Sequence, residues 1–225
     1  MKTLNKSYDM TIESAYIITI PGHEKSEALA AACAASCEKV GMPHVRWDAF
    51  DGTKDEMVVP AHAKDMQWLS WLKVNDHHLS QTEIACALSH ISLWAHCAST
   101  DKPLVILEHD AHMLAPYREH IAYNAIAYLG SKEQYEGKMS VRTIPPHGSL
   151  NHNRHFICRA HAYAIDPAVA RSLLAHVIRN GIHESLDVMI DPDIFAIVQP
   201  GLFAYDNFQG ETTIVDRKQD GGKER

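Results

Sequence analysis

Apolar positions in this chain fall into short blocks separated by turn formers. Ala15 to Ile20 (AYIITI) is a β-branched run that stops at Pro21-Gly22, the pattern of a buried strand entering a turn. Glu24 to Val40, rich in Ala and Glu and closed by Gly41, predicts a helix. His44 to Phe50 (HVRWDAF) predicts a second strand, halted by Asp51-Gly52. Strand, helix and strand in this order form a βαβ unit, so the pattern favours an α/β sheet.

The next well-marked element begins at Ser80. Ser80 and Glu83 fit the capping box S-x-x-E, and Ile84, Leu88, Ile91 and Ala95 then repeat at helical spacing. Leu104 to Leu107 (LVIL) is continuously apolar, as expected of a central strand covered on both faces, and leads directly into Glu108-His109-Asp110. Pro116 to Leu129 predicts a helix with proline in its first turn, and Gly130 to Asn153 a long polar loop of the kind that often forms a lid. His161 to Ile165 predicts a strand and Asp166-Pro167 the start of a helix reaching Arg179. Asp187 falls in a short helix or turn, and 194–198 and 202–204 are late strands. Residues 1–14 form a loose N-terminal segment, 15–215 one domain, and 216–225 (DRKQDGGKER) a disordered tail.

Composition changes this picture little: 46% apolar and 22% charged residues are ordinary for a globular chain of 225 residues. The N-terminus lacks the apolar core of a secretory signal, and no run is long enough to span a bilayer, so a cytoplasmic protein without a membrane span is expected. Twenty-one Lys and Arg against 28 Asp and Glu leave a net charge of −7, which lacks the footprint of a chain that grips nucleic acid through its phosphates. The five cysteines form no repeated CxxC and read as reduced apolar side chains. Sixteen histidines give chance pairs such as His77-His78, His109/His112 and His152/His155, but no four-ligand zinc pattern.

The strongest chemical feature is the strand ending in acids, LVILEHDAHML. If the chain stays extended there, Glu108 and Asp110 point to one side and His109 away. Two such carboxylates suit a hard divalent cation at the end of a sheet where ligands bind; alternatively they mark only the polar exit of a strand. On the preceding helix Glu83 and His90 are seven apart, so Glu83, Ser89 and His90 can line a pocket together; the other reading is a capping Glu and a satisfied core His. Trp68 and Trp71 in QWLSWL fit either helix core or a sugar-stacking platform.

These stretches together resemble glycosyltransferase family 25, which includes lipooligosaccharide sugar transferases and collagen galactosyltransferases. LSQTEIACALSHISLWAHCAST, the apolar strand and EHDA are similar to the family's L-T-x-G-E-I-G-C-x-L-S-H-x-x-x-W, strand and E-D-D-A. AYIITIPG through WDAFDGT resembles its opening unit, AYAIDPAVARSLL its A-Y-x-I-S segment, SLDVMI its P-V-D segment and GETTIVD its closing S-T-I. The resemblance implies a single-domain GT-A type α/β fold, with a Rossmann-like nucleotide-sugar-binding mixed sheet flanked by helices. It implies metal-dependent transfer of a hexose from a nucleotide diphosphate sugar, UDP-sugar foremost, with inversion, to a glycan or another hydroxylated macromolecule. The cation would be Mn2+ or Mg2+. Carried onto this chain, Asp110 ligates the metal and Glu108 contacts ribose or metal. Ile20, Pro21 and Gly22, together with Asp48 and Asp51, cradle the nucleotide, with Ser89 and His90 beside it. Glu83 and Asp187 are the candidate catalytic carboxylates, Asp187 as base for the acceptor hydroxyl or as a capping or orienting acid.

Several positions depart from the family text. His109 replaces its middle Asp, and His23 and Lys25 stand where it has arginines. The rival readings are the same transfer to a hydroxymethylated DNA base through a groove of Arg142, Arg154 and Arg159, a non-catalytic nucleotide-sugar-binding module, and a zinc hydrolase using the histidines.

Overall fold

The computed structural model describes residues 11–74, 79–118, 125–130, 142–144, 154–156, 160–190, 196–198 and 200–206. It begins as the pattern predicts, with β1 (Ala15–Thr19), α1 (Glu24–Val40) and β2 (His44–Asp48). Two short 3-10 turns, Ala61–Ala63 and Gln67–Trp71, precede α2 (Gln81–Thr100). There follow β3 (Leu104–Glu108), β4 (Ala111–Met113), β5 (Ala125–Tyr128), β6 (Arg142–Ile144), β7 (Arg154–Phe156) and β8 (Ala162–Ile165). The described chain closes with α3 (Pro167–Asn180), α4 (Leu186–Met189), β9 (Ala196–Val198) and β10 (Ala204–Asp206).

Six strands form one mixed sheet in the order β2-β1-β3-β8-β5-β9. β1 pairs in parallel with both β2 and β3, whereas β8 runs antiparallel to its neighbours β3 and β5. β10 with β4, and β6 with β7, form two small antiparallel pairs. Side chains alternate between two apolar layers, as strand geometry requires. Ile18, Ile106, Ile126, Tyr163 and Ile165 face α2 and α3, meeting Ile91, Trp94, Val169 and Leu173. Ile17, Val105, Leu107, Ala125, Ala127, Ala162 and Ala164 share the other layer with Ala30, Cys33 and Cys37 of α1. β3 is buried on both faces, which explains its unbroken LVIL.

Helix ends follow local chemistry. His23 Nδ1 accepts from the Ser26 N–H at 3.3 Å and caps α1. Ser80 and Glu83 form the full capping box of α2: Ser80 Oγ accepts from the Glu83 N–H at 3.2 Å, and Glu83 Oε2 accepts from the Ser80 N–H at 2.8 Å. Asp166 Oδ1 accepts from the Ala168 N–H at 2.7 Å and starts α3 at Pro167.

One expectation is overturned within the described residues. The helix predicted over Pro116 to Leu129 is absent from its last part, where Ala125–Tyr128 is the fully buried strand β5 between β8 and β9. Proline at a first-turn position suggested a helix; pairing on both edges decides for a strand, because tertiary context overrides weak local signals. Most of the lid predicted at Gly130 to Asn153 lies outside the described residues, as do 1–10 and the tail at 216–225.

Candidate functional site

The parallel arrangement of β2, β1 and β3 brings their carboxyl ends to one side of the sheet. From β1 the chain crosses through α1 to β2 on one side; α2 later leads to β3 on the other side. α1 and α2 cover opposite faces. The strand order therefore reverses at β1, which is where open α/β sheets form their binding crevice. A cleft with a cavity volume of about 80 Å³ lies there. Its apolar wall includes Ile18, Ile20, Ala49 and Phe50; its polar side carries Ser89, His90, Glu108, His109 and Asp110.

Three stretches of backbone shape the opening. At the end of β1, Gly22 adopts φ 72°, a left-handed conformation that suits glycine, and its N–H donates to Glu27 Oε1 at 3.1 Å. After β2, Asp51 Oδ1 accepts from the Thr53 N–H at 2.8 Å, tightening the turn, and Asp51 and Val58 exchange backbone hydrogen bonds of 3.0 Å. Gly52 lies directly against α2: a Cβ there would come within 2.5 Å of the Gln81 carbonyl oxygen and 2.9 Å of Ala85 Cβ. Gln81 Nε2 donates to the Lys54 carbonyl at 2.7 Å from the same helix end.

The third stretch corrects an expectation. β3 ends at Glu108, and His109-Asp110 form a turn into β4. Alternation of side chains stops with the strand, so His109 does not point away: Glu108, His109 and Asp110 all line the cleft. Burial pushes the His109 imidazole below its usual pKa, with His23 and Lys25 adding to the effect and Asp110 opposing it. His23 and Lys25 are thus electrostatically close to this turn.

His90 is the most deeply set polar residue of the cleft, fully buried on α2. Trp94 Nε1–H donates to Tyr163 Oη at 2.9 Å, and Tyr163 Oη pairs with His90 Nδ1 at 2.9 Å. Burial drives the imidazole pKa down to about 3, against an opposing pull from Asp187, so the ring is neutral at pH 7. Its other nitrogen, Nε2, is buried 3.3 Å from Glu108 Oε1 without hydrogen-bond geometry. Because the ring is neutral, this approach is not an ion pair. Cys86, one helical turn before His90, completes a group: its Sγ, an imidazole nitrogen and a Glu108 oxygen all lie within 4.8 Å of one another. Burial raises the Cys86 thiol well above its usual pKa, and the carboxylates of Glu108, Asp187, Asp110 and Glu83 add to it. Cys86 was read from sequence only as an apolar thiol. Its spacing of four from His90 on a helix was the available signal.

The remaining expected residues are placed as follows. Ile20 and Ser89 line the cleft; Ser89 Oγ accepts from the Phe50 N–H at 3.0 Å and donates to the Ala85 carbonyl at 2.8 Å, joining the β2 exit to α2. Pro21 and Gly22 form the turn after Ile20 and are outside the cleft lining. Asp51 is buried in its own turn, leaving Gly52 and Thr53 to line the opening. Asp48 Oδ1 accepts from Arg46 Nε at 2.9 Å in an exposed pair, and Arg46 also grips Glu27. Glu83 is committed to the capping box of α2. Asp187 Oδ1, on α4, accepts from the Ala160 N–H at 3.3 Å, and its charge reaches both His90 and Cys86. The tryptophans divide: Trp68 packs against the core, whereas Trp71 is 74% exposed. The side chains of Arg142, Arg154 and Arg159 lie outside the described residues. Among described helices none is long and apolar enough to cross a membrane.

No curated protein matches the chain significantly. The sequence pattern of glycosyltransferase family 25, described as an LPS biosynthesis protein, matches residues 24–190. That stretch is well over half of the chain and contains α1, β2, the capped helix α2, the Glu108-His109-Asp110 turn and α4. The chain belongs to glycosyltransferase family 25.

Proposed function

We propose that the protein transfers a hexose from a nucleotide diphosphate sugar, UDP-linked in the first instance, to a hydroxyl of a glycan or other hydroxylated acceptor, with inversion at the anomeric carbon. The observation that carries this reading is the cleft at the reversal of strand order, which Glu108, His109 and Asp110 all line beside α2. The family supports glycosyl transfer in general. The donor set supports a hard cation: two carboxylates in one cleft offer oxygen ligands of the kind Mg2+ and Mn2+ take.

Asp110 and Glu108 would hold that cation. When bound, it offsets the negative charge that grows on the departing diphosphate. The apolar wall of Ile18, Ile20, Ala49 and Phe50 excludes water and suits the flat face of a nucleobase. Lys25, in the first turn of α1, adds positive charge near the turn. Asp187, oriented by the Ala160 N–H, receives the proton of the acceptor hydroxyl as that oxygen attacks. Glu83 serves the helix, holding α2 in place under the cleft.

Thermal melting with UDP-, GDP- and CDP-sugars, each with and without Mn2+, tests the proposal. A metal-dependent rise with one nucleotide class is expected, since a ligand bound only by the native state raises the melting point. Asp110→Asn is expected to abolish the metal-dependent part while keeping the fold. Asp187→Asn is expected to bind donor normally but to transfer about 10²–10⁴-fold more slowly. Failure of every nucleotide sugar to shift the melt in Mn2+ sinks the reading; unchanged metal-dependent binding in Asp110→Asn sinks that residue's role.

A further inference from the structure

We infer that the floor of the cleft is a second cation site, adjoining the acidic turn and sharing Glu108 with it, in which Cys86 Sγ, His90 Nε2 and Glu108 bind a borderline transition ion of the Zn2+ class and leave one position open to the cleft. Thiolate, imidazole and carboxylate are a zinc donor set, and three protein ligands with one open position is the usual plan of an accessible zinc site. Mg2+ and Mn2+ favour oxygen donors, so a centre containing Cys and His selects against them.

Geometry supports the assignment. The three donor atoms lie within 4.8 Å of one another. Ligands around a tetrahedral Zn2+, with bonds of roughly 2.0–2.3 Å, stand about 3.3–3.8 Å apart. The His90–Glu108 edge is already 3.3 Å, so closure requires only a modest inward movement of the thiol. His90 Nε2 is fully buried, aimed at Glu108 and without a hydrogen-bond partner, a costly state that a metal bond would relieve. The ring's other nitrogen is held by Tyr163 Oη, the kind of orienting contact that metal-bound imidazoles have. The imidazole is neutral and needs to lose no proton. Binding releases one proton, from Cys86 Sγ–H, to solvent as the S–metal bond forms. Thiolate and carboxylate then balance the two positive charges, so the centre is neutral where it is buried.

Cobalt reports on this site directly. Metal-free protein titrated with Co2+ is expected to develop a near-ultraviolet sulfur-to-cobalt charge-transfer band and visible bands of tetrahedral intensity; stoichiometric Zn2+ should bleach both. Cys86→Ser should lose the charge-transfer band, and Glu108→Gln should weaken Co2+ binding at least tenfold. Absence of the band in the wild type, or its survival in Cys86→Ser, overturns the inference. Should Cys86→Ser not fold, alkylation of Cys86 in the wild-type protein decides: protection by Zn2+ supports the site, and an unchanged rate overturns it. The outcome is separable from that of the proposed transfer, because the cobalt spectrum needs no nucleotide sugar and nucleotide binding in Mn2+ needs no thiol.

Discussion

Tyr163 Oη lies 2.9 Å from His90 Nδ1, joining β8 in the sheet to the buried imidazole of α2. The same hydroxyl accepts from Trp94 Nε1 at 2.9 Å. Position 163 thus holds two rings of α2 from the facing sheet and sets how His90 meets Glu108. Tyr163→Phe would leave the Trp94 N–H and His90 Nδ1 buried without this oxygen. Loss of about 1–3 kcal/mol is expected from urea unfolding, the usual cost of stranding a buried polar group. A change within error would show that the hydroxyl is dispensable.

Gly52 sets the distance between the β2 exit and α2. Gly52→Ala places a methyl 2.5 Å from the Gln81 carbonyl oxygen, a backbone atom that yields only if the helix moves. Overpacking of this kind costs about 1–3 kcal/mol. Because Gly52 and Thr53 line the cleft, donor binding should weaken together with stability. Thermal melting with and without nucleotide sugar reads both effects.

The capping box separates the two readings of Glu83. Ser80→Ala should lower stability by about 1 kcal/mol through loss of the Oγ contact to the Glu83 N–H. Glu83→Ala should cost a similar amount, and Glu83→Gln much less, because a Gln side chain still accepts from the Ser80 N–H. A collapse of turnover in Glu83→Gln at unchanged stability would return Glu83 to the chemistry.

A cluster away from the cleft adds to the acid sensitivity that buried His90 confers. Trp47 packs against His62 at 4.1 Å and His96 at 5.2 Å between ring centroids, and Tyr16 Oη pairs with His96 Nε2 at 3.0 Å. Burial lowers both imidazole pKa values, His96 lowering His62 further while Asp48 opposes it. The unfolded chain therefore binds protons that the folded chain resists. Stability from this pair is full above the free-histidine pKa of about 6.5 and declines as pH falls below it. Melting temperature should drop between pH 7.5 and pH 5.5, and a His62→Gln, His96→Gln double variant should show a shallower drop. An equal slope in both proteins would refute the link.

Local signals were sufficient for the first βαβ unit and for α2. The Pro21-Gly22 stop, the S-x-x-E cap and the uninterrupted LVIL each act within a few residues, and the structure keeps all three. β5 was misread because Ala125–Tyr128 is held as a strand by β8 and β9, partners distant in sequence. The carboxylates of Glu108 and Asp110 were legible at the end of an apolar strand. That His109 joins them was not, because it depends on where β3 stops.

The order of residues by itself determined an α/β sheet, a capped helix followed by a strand ending in acids, and membership of a family, because these follow from spacing and short-range hydrogen bonds. Tertiary structure alone decided that the acidic turn, the Gly52 turn and one face of α2 close around the same cleft. It also decided that Cys86, which the sequence places only one helical turn from His90, lies with both His90 and Glu108. Such groupings depend on strand order and on which helix face is buried, and both are settled only when distant segments pack together.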